Sequence, residues 1–216
     1  PEFFDIQDLT NEQLNKHFGT KSLKGFGLDN QALAIIAAGA VFYYLSENQQ
    51  QQLGHITGIS RIAPDRYMWL DRFTVRNLEL IHSPHENAIT LSHVLDKTKT
   101  PMGGRLLKRW LVLPLKDRQP IEERHQVVAA LKDAQPIHHD LDARLREIGD
   151  LERLISKVAV GKINPREVQH LKRTLQQIQP IHELLSPLQN KSLQTLLQNL
   201  DACQQLIELI EANLTA

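Results

Sequence analysis

DRFTVRNLELIHSPHENAITLSHVLDKTKTPMGGRLLKRWLVLPL, residues 71–115, carries the densest run of local signals in the chain. From Thr74 onward the pattern reads as helix after helix. Thr100-Pro101 supplies an N-cap followed by proline at the first helical position. There the missing N–H would have no partner anyway. Met102, Leu106, Trp110 and Leu113 then recur at spacings of four, four and three residues. That spacing places them on one helical face and predicts a buried Trp110, worth roughly 3–5 kcal/mol on truncation to alanine. Gly103-Gly104, just inside this helix, implies close packing by another helix.

Downstream, Asn164-Pro165-Arg166-Glu167 is a fuller start signal, with N-cap, proline and a glutamate three residues on. This is the spacing of a capping box. Val168, Leu171, Leu175 and Ile178 form the apolar stripe that follows, and Pro187 breaks the pattern. Leu193, Leu196, Leu197, Leu200, Cys203, Ile207, Ile210 and Leu214 then repeat at helical spacing. No glycine or proline interrupts residues 190–214. A single helix there would span on the order of 35 Å, with Cys203 as a small buried hydrophobe on its stripe.

Upstream, Asp29 is placed to cap a helix starting near Asn30, since its carboxylate can accept free backbone N–H groups. That helix is apolar on every side, which demands neighbours on every side. Gln49 to Gln52 reads as a solvated end. Tyr67-Met68-Trp69-Leu70 suggests a short strand.

Of the 216 residues, 41% are hydrophobic, enough for a core, and 25 basic residues balance 25 acidic ones. Net charge therefore implies no general attraction to DNA or to an anionic membrane. No apolar stretch reaches the roughly 18 residues of a membrane span, and a cytoplasmic location is expected. The chain opens on Pro1-Glu2-Phe3, with neither an initiator methionine nor a signal peptide. It is expected to be an excised piece of a longer protein. Cys203 is alone, which excludes an internal disulfide and a cysteine zinc site.

Candidate chemistry is sparse. A phosphate-cradling loop needs a glycine six residues before its lysine, and Gly19-Thr20-Lys21-Ser22 lacks it. His82, His85 and Glu86 surround Pro84, which argues for a loop. His138-His139 are adjacent and so do not share a helix face. Asp150 and Glu152 lie two apart at a helix start, where Asp150 reads as an N-cap favoured by the helix dipole. Neither catalytic nor metal residues are expected. Lys97–Arg124 is locally basic, holding Lys97, Lys99, Arg105, Lys108, Arg109, Lys116, Arg118 and Arg124 against Asp117, Glu122 and Glu123. Arg105, Lys108 and Arg109, on the face away from Trp110, are the candidate contacts to a DNA backbone.

Three ordered clusters in residues 71–115 carry a resemblance. They are Thr74–Arg76-Asn77-Leu78-Glu79-Leu80 behind Asp71, Leu91–Leu95-Asp96–Thr98, and Met102-Gly103–Arg105-Leu106-Leu107–Trp110-Leu111–Pro114-Leu115. With the later run Leu151-Glu152-Arg153 after Asp150, they resemble the core domain of the MutS family of DNA mismatch repair proteins. The resemblance implies a mainly α fold. Residues 1–54 would be the C-terminal end of an α/β connector domain. Residues 55–216 would be the helical core, with the first long lever helix from about residue 190. It implies a parent homodimer that binds mismatched duplex DNA, uses ATP and Mg in an ATPase domain absent here, and works with a MutL-type partner. This stretch would be the structural link between the ATPase and DNA-gripping regions, with no enzymatic activity or cofactor of its own. Two other readings stay open: a free-standing helical protein-interaction scaffold, and an autonomous non-specific DNA-binding module.

Overall fold

A computed structural model describes residues 2–28, 31–47, 53–60, 62, 64–159 and 161–214. Asp29, Asn30 and Gln49 to Gln52, and with them the expected cap and solvated end, lie outside the described residues. The chain forms two compact units, one of residues 1–63 with 156–162, the other of residues 64–155 with 163–216. The protein is mainly α-helical, as the sequence predicts, and no named strand forms among the described residues.

In the first unit α1 (Glu2–Phe18) packs on α2 (Ala32–Glu47). Leu14, Leu23, Leu28, Ile35 and Phe42 make the core. Gly39 lies against α1, where a Cβ built on it would collide with the Thr10 side chain. Gly19 and Gly27 take positive φ at the ends of α1 and of a short turn at Leu23–Phe26. Ser22, read above for a phosphate loop, accepts the Lys24 N–H at that turn. The other sides of α2 stay uncovered. Leu33, Val41, Tyr43 and Tyr44 are all more than half exposed.

The second unit holds α3 (Arg72–Asn77), α4 (Leu91–Leu95), α5 (Pro101–Val112), α6 (Arg118–Asp133), α7 (His138–Glu147), the start of α8 (Leu151–Ala159), α9 (Pro165–Gln176), α10 (Ile178–Leu185), α11 (Lys191–Gln198) and α12 (Gln204–Asn213). α9 packs on α10 and α12, α11 on α6, and α10 on α7. Two cores result. Leu154, Leu171, Leu175 and Ile207 form one; Ile181, Leu185, Leu193 and Leu197 form the other. The predicted starts of α5 and α9 are both present. Thr100 Oγ1 accepts the Gly103 N–H at 3.0 Å. Asn164 and Glu167 complete the capping box at 2.9 and 3.2 Å.

Five expectations are corrected. The single helix over 190–214 is two helices, broken at residues 199–203. Asn199 bonds back to the Thr195 carbonyl, and the Asp201 carboxylate accepts the Cys203 N–H at 2.8 Å. Short polar side chains that bond the local backbone offer it an alternative to helix, so no glycine or proline is needed for the break. Cys203 adopts a left-handed conformation and is exposed rather than buried. Trp110 is 39% exposed and Leu106 47%. Met102 and Leu113, the ends of the predicted face, are half-buried, as are Leu107, Leu111 and Val112, so it is the middle of the predicted face that lacks cover. The close neighbours of Gly103 and Gly104 are Thr98, Thr100 and Asp96 of the preceding loop, not another helix. Finally, the expected strand is one antiparallel bridge, Tyr67 to Leu115. The Met68 N–H donates to the Pro114 carbonyl at 2.8 Å beside it.

Gly39→Ala tests the contact between α1 and α2. Alanine gains about 1 kcal/mol of helix propensity over glycine, but overpacking costs roughly 1–3 kcal/mol. The Thr10 Cα, at 3.2 Å, cannot rotate away. A lower thermal midpoint by circular dichroism is expected, with partial recovery when Thr10→Gly is added.

Candidate functional site: the Arg105 fork

The residues singled out by the resemblance are mostly makers of local structure. Asp71 caps α3, its carboxylate accepting the Thr74 N–H at 2.8 Å. That bond holds the Asp71 carboxyl below the usual carboxylate range. Glu79 takes a positive φ of 48° just beyond α3. Its Oε1 accepts the Ser83 hydroxyl at 2.8 Å. The left-handed step turns the chain so that the carbonyls of Glu79 and Leu80 accept the N–H groups of Leu91 and Ser92, at 3.0 and 2.9 Å. Leu80 and Ser92 are thereby buried. Asp96 accepts both the hydroxyl and the N–H of Thr98, at 2.6 and 3.1 Å, and its carboxyl is likewise lowered. Met102 is half-buried, and Arg76, Asn77 and Leu78 are exposed.

Arg105 is the exception, because it reaches across the fold. Its guanidinium donates through Nη1 and Nη2 to both oxygens of Asp150, at 2.8 and 2.6 Å. Its Nε donates to Glu152 Oε2 at 2.8 Å. A planar fork with several parallel N–H groups suits a carboxylate held edge-on. Asp150 is held in turn from the other side. Its Oδ1 accepts the Arg153 N–H at 3.2 Å, capping α8 as predicted. The Gly149 N–H donates to Thr174 Oγ1 at 3.1 Å, and the Thr174 hydroxyl donates to the His170 carbonyl. Thr174 is fully buried. A Cβ at Gly149 would meet the His170 ring as it now lies, so a larger residue here requires that exposed ring to swing aside. Leu151, next in sequence, packs on the core of Leu154, Leu171, Leu175 and Ile207.

The fork is partly exposed. Side-chain exposure is 48% at Arg105, 21% at Asp150 and 68% at Glu152. Ion pairs of this exposure contribute little net stability, so the pair is better understood as fixing geometry. Arg105 pushes the Asp150 carboxyl down to about 2, and the carboxylates raise the guanidinium further above its ordinary range.

The three candidate DNA-backbone residues thus separate. The positive charge of Arg105 is committed to two carboxylates. Lys108 and Arg109 are exposed and form no salt bridge among the described residues. Arg124, counted only as part of the basic run, lies with its guanidinium 3.6 Å from the centre of the Trp110 ring. Nothing in the spacing of the two residues signals that contact. His82, His85 and Glu86 fall in the loop before α4, and His138-His139 open α7. Among the described residues no group of three His, Cys, Asp or Glu side chains is arranged to hold a metal ion. No helix among them is long and apolar enough to cross a membrane.

Comparison with known proteins decides the family. The profile of MutS domain III matches residues 73–215, and that of MutS domain II matches residues 2–57. The chain belongs to the MutS family. It is 51% identical over 208 residues to the DNA mismatch repair protein MutS of Flavobacterium psychrophilum, and 53% identical over 208 residues to that of Christiangramia forsetii. In both cases 96% of this chain and 24% of the relative is covered. The MutS protein of Bacteroides fragilis is 47% identical over 205 residues, 95% of this chain and 24% of the relative. The chain therefore spans about a quarter of the length of the curated relatives it matches.

The lowered Asp150 carboxyl sets a direction for pH dependence. A depressed native value means that the fork's contribution is present above the ordinary carboxylate value of 3.8. It is lost as pH falls from there through about 2. In a carbon-detected NMR titration the Asp150 carboxyl should titrate near the bottom of that window. Arg105→Ala should return it towards 3.8. No change on removing Arg105 would mean that the Arg153 N–H, not the guanidinium, sets the value.

Proposed function

We propose that this chain is the connector end and helical core of a DNA mismatch repair protein, and that it holds and transmits position rather than reading bases or hydrolysing nucleotide. The observation that carries the reading is the Arg105 fork. The residue at the centre of the family-like motif on α5 is spent on fixing the start of α8, 45 residues away. A basic residue meant for DNA phosphates would present its charge to solvent. This one is used to set the angle between two helical segments, which suits a part that passes displacement along packed helices.

On this reading residues 1–54 end the connector domain and residues 55–216 form the core, with the lever region beginning near Asn190 as a pair of short helices. The whole protein is a cytoplasmic homodimer that binds mismatched duplex DNA, uses ATP and Mg in its ATPase domain, and engages a MutL-type partner. Lys108 and Arg109 are the remaining candidates for weak contact with the DNA backbone. Phosphate contacts position a protein without reading sequence, so they would not distinguish a mismatch.

Two measurements test this. Fluorescence anisotropy with the 216-residue chain should show a mismatched and a matched hairpin bound equally, with affinity falling steeply as salt rises. A preference for the mismatch of about tenfold, or roughly 1.4 kcal/mol, would place a reading element in this segment and sink the proposal. In the full-length protein carrying this segment, Arg105→Ala should uncouple mismatch-stimulated ATP turnover while leaving basal turnover intact.

A further inference from the structure

A cleft of about 520 Å³ in the second unit is used by none of the features above. It lies between α6 and α11, beside the Tyr67–Leu115 bridge. Leu115, Val127 and Leu196 give it an apolar lining, and Arg66, Arg124 and Lys191 give it three positive charges from three separate elements. None of the three cations has a carboxylate partner within salt-bridge distance among the described residues. Two acids, Glu122 and Glu123, also line it. Glu122 is paired with Arg118 at 2.7 Å, while Glu123 accepts from the neutral Gln119 amide at 3.1 Å and keeps its charge. Three cations against that one uncompensated carboxylate leave the cleft net positive beside its apolar lining.

We infer that this cleft docks an acidic amphipathic peptide segment, with apolar side chains against Leu115, Val127 and Leu196 and carboxylates towards Arg66, Arg124 and Lys191. Charge complementarity selects the occupant. A carboxylate can bridge to a guanidinium in a bidentate fork, and Arg66 and Arg124 offer two. A nucleic-acid backbone is disfavoured. It has no apolar face for the two leucines and the valine. Arg124 makes occupancy visible. Its guanidinium stacks on Trp110, so a carboxylate that draws it into the cleft changes the surroundings of the indole. The inference does not depend on the functional reading above, since it concerns neither the fork nor DNA.

The test uses the whole chain carrying Trp69→Phe, which leaves Trp110 as its one tryptophan. The probe is a fluorescein-free peptide of glutamate, leucine and phenylalanine for the emission of Trp110, and its labelled twin for anisotropy. A saturable response in both is expected. The double variant Arg66→Glu, Lys191→Glu should weaken binding at least tenfold. Lys132→Glu, on α6 but outside the cleft lining, should change it less than twofold. A counterpart peptide with lysine for glutamate should not bind the unreversed chain, which keeps the test valid should the double variant lose its far-ultraviolet circular dichroism melt. An absent saturable response, equal binding by the reversed and unreversed chains, or binding of the lysine peptide would overturn the inference. So would a short duplex DNA that binds more tightly than the acidic peptide and loses affinity in the same double variant.

Discussion

No described helix of the second unit exceeds the sixteen residues of α6, and several have eight or fewer. Helices this short are marginal in water by themselves, because nucleation fixes several dihedral angles for one hydrogen bond. Each must be stabilised from outside its own ladder. The fold therefore rests on two kinds of support: side chains that satisfy helix ends, and cores shared between two or more helices.

The first kind is dense. Asp71, Thr90, Thr100, Asn164 and Asn190 each accept a backbone N–H in the first turn of the helix they precede. Such caps contribute on the order of 1 kcal/mol each, a large fraction of the support available to a helix of five to twelve residues. The second kind sets tertiary arrangement. Leu154, Leu171, Leu175 and Ile207 come from three helices, and Ile181, Leu185, Leu193 and Leu197 from two. Between these levels stands the 149–153 turn, where a glycine, a buried threonine hydroxyl and the Arg105 fork converge. Its energy is small because it is partly exposed, yet it fixes where α8 starts relative to α5.

The charge of α5 takes on a different meaning in this light. A basic helix read in isolation invites a phosphate-binding role. Once folded, its charges have separate uses. Arg105 is neutralised by Asp150 and Glu152, while Lys108 contributes to lowering Asp96. Arg124, from α6, rests on the half-covered Trp110 of α5. Burial partly desolvates that guanidinium and pulls its value down. Cation and ring shield each other, which explains why an indole on a helix face can remain 39% exposed.

The sequence by itself determined the helical class, the family and the starts of α5, α8 and α9. Those features depend on neighbours within a few residues: a capping side chain, a proline at the first position, a glutamate three residues on. Ordered motif clusters over residues 71–153 were legible for the same reason, since their residues act chiefly by capping and turning the local backbone. The tertiary structure alone decided which face of α5 is covered, where the 190–214 stripe breaks, what Arg105 holds and that Arg124 meets Trp110. A stripe shows that a face is apolar but not whether a partner is present to cover it, and Leu106 and Trp110 have too little. Periodicity also could not see Asn199 and Asp201 turning the chain, because their competing bonds to the backbone break no apolar repeat. Arg105 and Asp150 are 45 residues apart, and no local rule pairs them. Only a fold that brings the α7–α8 turn onto α9, where the Gly149 N–H meets the buried Thr174 hydroxyl, places that carboxylate within reach of the guanidinium.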